Sequence, residues 1–438
     1  MDSRMSLFPL NSSINDQDHL TISGVDVCNL AKEYGTPLYI YDASTIRHNI
    51  DYLHQLLTQY YSGDGKVAYA SKAFLSLPFA RKMRKLGTGL DVVSLVELEI
   101  GRAAGFSADG IHLHGNNKTR EEIEAALDWD IQAIVIDSVD ELKFVAEIAE
   151  RKQKVARCWL RLTPDLVINT HKSIQTGHAD SKFGLHVQNR EIDEALQFGI
   201  AHPWINITGI HMHLGSQIRD TEVYVKAVRV MYEMAQANGF VPLEVSPGGG
   251  WGVRYTESDP EINTEAWVIA VCHAVETECA KRGWALPTLV LEPGRWLVAQ
   301  SAVALYSVGS QKTTPGGTHI TALDGGLADN PRVEMYGAHY TAKAANHMTE
   351  EDSVATQLVG RYCESGDILI EHIRLPQLQR GDVIAIPVAG AYQLSMSSNY
   401  NLIPRPAVLW LENGAVSVLH SRENLSNSTW WTSTEKEH

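Results

Sequence analysis

The sequence predicts an α/β protein: a closed (β/α)8 barrel of the TIM type, followed by an all-β C-terminal domain that also takes in the N-terminal segment. Three observations carry this. Eight short β-type runs alternate with amphipathic helical stretches between residues 66 and 292. After Ser301 the helical periodicity mostly vanishes, and short β runs punctuated by Gly and Pro replace it. The chain has 438 residues, too many for one ordinary domain but suited to a large barrel with a smaller partner.

The eight runs, in order, are Lys66–Ala70, Gly89–Val93, Ile111–His114, Ala133–Asp137, Cys158–Leu162, Thr208–His213, Leu243–Val245 and Thr288–Glu292. Between them Thr119–Asp128, Val139–Lys152, Thr221–Asn238 and Asn263–Arg282 repeat apolar residues at three and four positions, the spacing of a helix with one buried face. Thr119 and Glu122 stand at capping-box spacing. An open doubly wound sheet is the alternative; the count of eight favours closure.

In the second domain the runs are His319–Leu323, Asp367–Ile370, Asp382–Val388 and Ala407–Leu411. Asn413-Gly414 lies between two alternating apolar runs and marks a hairpin. Pro37–Asp42 is also β-like and precedes the barrel, so it is expected to pack with the C-terminal domain. The expected division is a barrel over 44–300 and a β domain made of 1–43 and 301–438. The polar tail, Asn424 to His438, reads as partly mobile.

Composition narrows the function. At 44% hydrophobic and 20% charged the chain can bury a large core. A net charge of −15 argues against nucleic acid or an anionic membrane as partner. Any anionic metabolite must then be met by individual Arg and Lys residues. The cysteines are Cys28, Cys158, Cys272, Cys279 and Cys363. Their number is odd, no spacing suggests zinc, and no secretory signal precedes them, so reduced thiols in the cytoplasm are expected, with no metal. Met1 to Leu20 lacks an apolar run long enough for a signal peptide or a membrane span.

In such barrels the active site lies at the C-terminal ends of the strands. Strand one is followed there by Ser71-Lys72, and strand two contains Asp91. Strand three ends in His114-Gly115-Asn116-Asn117-Lys118, and strand five holds Arg161. Strand six ends in His213-Leu214-Gly215-Ser216, strand seven runs into Gly248-Gly249-Gly250, and strand eight into Glu292-Pro293-Gly294-Arg295. The glycines let backbone N–H groups approach an anion, and Ser216 and Arg295 suit the same phosphate cradle; a plain turn is the alternative. Lys72 is either a rim residue with a snorkelling stem or an amine held for Schiff-base chemistry. Glu292 either pairs with a ring nitrogen or forms a rim salt bridge with Arg295. His213 either lies flat against a cofactor ring or is structural. Together these groups fit pyridoxal phosphate, which needs a lysine, a carboxylate, a phosphate cup and a flat neighbour.

The ordered motifs carry a resemblance. YASKA (Tyr69–Ala73), LDVVS (Leu90–Ser94), HGNNKT (His114–Thr119), NTHKSIQTGHADSKFG (Asn169–Gly184), HMHLGSQI (His211–Ile218), GGGWG (Gly248–Gly252), EPGR (Glu292–Arg295), DGGLADNPR (Asp324–Arg332), CESGD (Cys363–Asp367) and GAYQLSMSSNYN (Gly390–Asn401) occur in that order. From about Leu7 to Arg422 the chain resembles the diaminopimelate decarboxylases, pyridoxal enzymes of the alanine-racemase fold. The resemblance implies pyridoxal 5'-phosphate as cofactor, with Lys72 bound to its aldehyde. His213 would stack on the ring and Glu292 bind its nitrogen. Asp91, Gly249, Gly294 and Arg295 would complete the cofactor site, and Ser216, Gly250 and Tyr392 would serve the phosphate. Arg295, Arg332, Tyr336 and Tyr392 would meet the distal carboxylate of an amino-acid substrate, and Glu364 its distal ammonium. Cys363 would donate a proton. Cys363 and Glu364 would come from a neighbouring subunit, which implies a homodimer. The implied reaction converts meso-2,6-diaminopimelate to L-lysine and carbon dioxide.

Bidentate arginine suits a carboxylate and glutamate an ammonium, which agrees with that assignment. Two departures stand out. Ser94 is followed by Leu95-Val96-Glu97, and Arg332 by Val333-Glu334, which places an extra acid near the expected carboxylate site. A decarboxylase of ornithine, lysine or a carrier-bound amino-acyl group is therefore the alternative. An amino-acid racemase or a non-catalytic pyridoxal-binding protein would need neither CESGD nor, in the second case, Lys72 with Cys363.

Overall fold

The computed structural model describes residues 5–164 and 181–428. Most of the NTHKSIQTGHADSKFG motif, residues 169–180, and the end of the tail, 429–438, lie outside the described residues. The chain divides into two compact units. One is Asn49–Val253 with Ile262–Leu297; the other holds the residues up to His48, Arg254–Glu261, and everything from Val298. Arg254–Glu261, which the sequence places inside 44–300, thus packs with the second unit.

The first unit is the barrel. Its strands are Gly65–Ala70, Gly89–Val92, Ile111–Leu113, Ala133–Ile136, Ala156–Thr163, Ile205–His211, Glu244–Gly248 and Thr288–Leu291. Each pairs in parallel with the next, and the last closes on the first through Leu289 opposite Gly65. Their apolar runs have the continuity of strands covered on both faces. Helix starts follow local chemistry. Thr119 makes the full capping box with Glu122 before Arg120–Trp129. Ser94 and Ser138 accept from the N–H groups of Glu97 and Glu141, starting Leu95–Ala104 and Val139–Lys152. Asn263 caps Thr264–Arg282, which ends at a left-handed Gly283. Low in the barrel, Trp159 packs with Ala68, Ala133, Val135 and Val290, and its Nε1 donates to Glu244 at 2.8 Å.

The second unit is mostly β. Ala302–Thr313 is its longest strand; it pairs antiparallel with Leu38–Asp42, His319–Leu323 and Val383–Ile386. Leu38–Asp42 also pairs in parallel with Ala407–Glu412, so the N-terminal segment joins the C-terminal sheet as expected. Asn413 (φ 53°) and Gly414 (φ 76°) turn Ala407–Glu412 back into Ala415–His420, the paired positive dihedrals of a tight hairpin. Two corrections apply to the all-β expectation. Val27–Tyr34 is a helix, started by Asp26, whose carboxylate accepts from Cys28 and Asn29. Arg332–Tyr336 forms a short helix ended by a left-handed Gly337. The strand expected at Asp367–Ile370 runs Ile368–Leu375, because the Asp367 side chain is occupied by loop N–H groups. The one expected at Asp382–Val388 is shorter, Val383–Ile386, and Val388 beyond it has a positive φ incompatible with a strand. Among the described residues no helix is long and apolar enough to cross a membrane.

Candidate active site

A cavity of about 280 Å³ opens at the C-terminal ends of the barrel strands. Lys72, Asp91, His213, Ser216 and Glu292 all line it, so five residues expected at the ends of four different strands line one cavity. Lys72 sits in a single 3-10 turn, Ser71–Ala73, directly after the first strand. Ser71 Oγ donates to Glu97 Oε2 at 2.8 Å, and Val93 N–H donates to the same oxygen at 2.7 Å. Glu97, which follows the departing Leu95-Val96 pair in the second-strand motif, therefore ties the lysine's turn to the next loop.

Glu292 is buried at the end of the eighth strand. Its Oε1 accepts from Ser246 Oγ at 2.6 Å, and its Oε2 lies 2.9 Å from His211 Nε2. Burial alone would raise this carboxyl; His211, His114 and the Ser246 hydroxyl outweigh it and hold the group well below the usual carboxylate range. Burial drives His211 down to about 4 against the pull of Glu292, leaving the imidazole neutral at pH 7. A carboxylate only accepts, so His211 carries its hydrogen on Nε2. Burial likewise pushes His213 well down, helped by the charges of Lys72 and Arg161.

The acid and histidines continue inward. His114 Nε2 is 4.0 Å from Glu292 and 3.8 Å from Asp91, and His112 Nδ1 is 3.3 Å from Asp91. His114 Nε2 is buried and has no hydrogen-bond partner among the described residues. His114, His211 and Glu292 bring their donor atoms within 4.8 Å of one another, a spacing that could also hold a metal ion. Lys118 takes no place in this cavity. Its ammonium is buried against Glu141 (3.0 Å) and the carbonyls of Gly115 (2.7 Å) and Val135 (2.6 Å), stapling the ends of strands three and four.

The glycine run packs beside the cavity wall. Gly250 has φ +93°, and a Cβ there would collide with the Gly215 carbonyl and lie 3.3 Å from His213 Cε1. Only glycine brings this backbone so close to the Gly215–Ser216 turn. Tyr224 holds the run by donating to the Gly249 carbonyl at 2.8 Å. A Cβ at Gly294 would lie 3.1 Å from Ala70 Cβ, and Arg295 after it is buried. A neutral imidazole, a fixed carboxylate, a primary amine, a hydroxyl and a backbone cradle closed to side chains are the groups that pyridoxal phosphate requires.

The remaining expected residues belong to the second unit. Arg332 is buried and has no ion-pair partner among the described residues. Its guanidinium lies 4.8 Å over the ring of Tyr255 and donates to the Tyr340 hydroxyl. Tyr336 is half-buried at the end of the same helix, and Tyr392 is half-buried with φ 61°. Glu334 is exposed, with its carboxylate against Gly366 of the CESGD loop. Cys363 and Glu364 are exposed. The loop that bears them is pinned by Asn401, which accepts from Cys363 N–H at 2.8 Å, and by Asp367, which accepts from Leu327 and Tyr362 N–H.

The roles of His211, Ser246 and Glu97, and in the second unit Asp367, Tyr255 and Tyr340, were not read from sequence. The expected strand Thr208–His213 would put His211 and His213 on the same side, although the strand ends at His211. That was the one available signal.

Comparison with known proteins agrees with this geometry. The family described as "Pyridoxal-dependent decarboxylase, pyridoxal binding domain" matches residues 45–299. The diaminopimelate decarboxylase of Bacillus subtilis is 41% identical over 93% of this chain and 94% of its own. That of Bacillus methanolicus is 38% identical over 95% and 98%. Among solved structures, the diaminopimelate decarboxylase of M. jannaschii in complex with L-lysine superposes with a TM-score of 0.88 at 31% identity, covering 96% of this chain and 97% of that one.

Proposed function

This chain belongs to the pyridoxal-dependent decarboxylases, within them to the diaminopimelate decarboxylase family, and we propose that it removes one carboxylate of meso-2,6-diaminopimelate to give L-lysine. The observation that carries the reading is the single cavity walled by Lys72, His213, Ser216 and Glu292 at the strand ends.

Pyridoxal phosphate, when bound, supplies an electron sink for the bond to the departing carboxylate. The chain's own residues do the rest. Lys72 would hold the cofactor's aldehyde through its amine. Glu292, kept anionic by His211 and Ser246, holds a proton at the ring nitrogen. His213, neutral through burial, gives the ring a flat face without a competing charge. Asp91 and Gly294 complete this shell. Ser216, Gly249, Gly250 and Tyr392 serve the phosphate.

At the distal end Arg295, Arg332 and Tyr336 take the carboxylate. The buried guanidinium of Arg332, which meets no carboxylate among the described residues, supports this, because such a charge is costly until an anion meets it. Glu364 takes the distal ammonium. Cys363 delivers the proton to the carbon that has lost its carboxylate. Both lie exposed in the single chain, which supports a homodimer in which they serve the neighbouring subunit's site.

The test is to supply the purified protein with pyridoxal phosphate and offer meso-diaminopimelate, L-lysine and L-ornithine separately, measuring carbon dioxide. Release from meso-diaminopimelate with lysine as product is expected. Release from ornithine or lysine instead would replace this reading.

A further inference from the structure

The barrel carries a second cavity, at the opposite ends of its strands. Its volume is about 450 Å³, larger than the catalytic one. Its wall is built from the starts of the first three strands, at Gly65-Lys66, Thr88-Gly89 and Gly110, and from the turns that feed them. The two cavities share no lining residue. At about 3.3 Å per residue, the first strand puts roughly 20 Å between Gly65 and Lys72.

The chemistry of this wall is specific. Lys66 and Arg84 bring two cations to it, and neither has an ion-pair partner among the described residues. Gly105 stands beside Arg84, with its Cβ position 3.6 Å from Nε, so no side chain rises there between the guanidinium and the cavity. Asp109 is the lone acid among the lining residues, which leaves a net positive wall on a chain of net charge −15. Thr88 is only 7% exposed, and its buried Oγ1 has no hydrogen-bond partner among the described residues. Buried hydroxyls are normally satisfied, so an unsatisfied one on a residue of the cavity wall is a donor in reserve for an acceptor held beside it. His54 and His112 offer further ring nitrogens on the same wall.

We propose that this cavity is a binding site for a compact oxyanion, a carboxylate or a phosphate group of a small metabolite. Lys66 and Arg84 supply the charge, and the Thr88 hydroxyl supplies a buried donor. Two cations and an unsatisfied hydroxyl along one cavity wall give an anion both charge and a donor.

Calorimetric titration of the cofactor-loaded enzyme tests this, with inorganic phosphate in one series and succinate in the other. Saturable binding of either is expected; phosphate alone assigns a phosphoryl ligand, succinate alone a carboxylate. The double variant Lys66→Ala/Arg84→Ala should weaken that binding by about tenfold or more, and Thr88→Val by roughly fivefold, sizes typical of lost charge-assisted bonds. Decarboxylation without added anion should stay within about twofold of the parent, since none of the three lines the catalytic cavity. Absence of saturable binding in both series, or binding undiminished in the double variant, overturns the proposal.

Discussion

Replacing Glu292 by Gln tests whether the buried charge at the end of the eighth strand drives the reaction. The parent carboxylate accepts two bonds, from Ser246 at 2.6 Å and from His211 at 2.9 Å. Bonds to a charged acceptor contribute about 1.5–3 kcal/mol, and neutral ones about 0.5–1.5 kcal/mol. The glutamine keeps the Ser246 bond in its weaker, neutral form. Its amide nitrogen then faces the Nε2–H of His211, donor against donor, so that bond is lost unless the ring changes tautomer. The two losses sum to roughly 2–4 kcal/mol. If the organised charge acts on the reaction, that corresponds to about 30- to 1000-fold in turnover. The assay is carbon dioxide release from meso-diaminopimelate at saturating cofactor. Visible absorbance of bound pyridoxal phosphate and far-UV circular dichroism serve as controls for occupancy and fold. Turnover within about twofold of the parent, with cofactor fully bound, would refute the role assigned to this carboxylate.

Other perturbations are expected to separate stability from chemistry. Lys118→Met leaves Glu141 buried without its ammonium partner and should cost about 3–5 kcal/mol in chemical denaturation; a change below about 1 kcal/mol would show that the staple contributes little. Burial raises Asp329 to about 7. The folded state thus holds a proton that the unfolded chain releases near pH 4, and stability should fall as pH rises from about 4 to about 7, by at most roughly 4 kcal/mol. Asp329→Asn should flatten the melting temperature across that window, and an unchanged profile would exclude Asp329 as the source. Cys363→Ala should keep the cofactor's absorbance but slow turnover by roughly 10²–10⁴-fold, as for a lost proton donor; near-parental turnover would exclude it.

The barrel was legible because its strands are covered on both faces. Such strands appear as short apolar runs ended by polar or glycine residues, and Val139–Lys152 has the same bounds in the sequence reading and in the structure. The second unit was harder to read. The strand Ala302–Thr313 ends in Ser310-Gln311-Lys312-Thr313, all exposed but half-buried Gln311, which breaks any simple pattern. Val354–Val359 was not anticipated, because its alternation is short and mixed. Residues at strand ends, such as Lys72 and Glu292, could be picked out by position alone. His211 could not, because its meaning comes from a carboxylate 81 residues away on a strand that is not its sheet neighbour. Asp367 was hidden for the same reason: its work is to hold the backbone of Leu327 and Tyr362, not to face a substrate.

The column His112, Asp91, His114, Glu292, His211, in which each side chain lies within 4.0 Å of the next, has a consequence for anyone seeking a heat-resistant version of this enzyme. Barrels of this architecture are commonly plugged by branched aliphatic side chains, and enlarging or reshaping that plug is a standard route to a higher melting point. Here the middle of the barrel is taken up by ionisable rings and acids. A leucine or isoleucine placed among them would strand a neighbour without its proton partner. Gains must instead come from the outer ring of helices, at caps and surface charges, where substitutions leave the column intact.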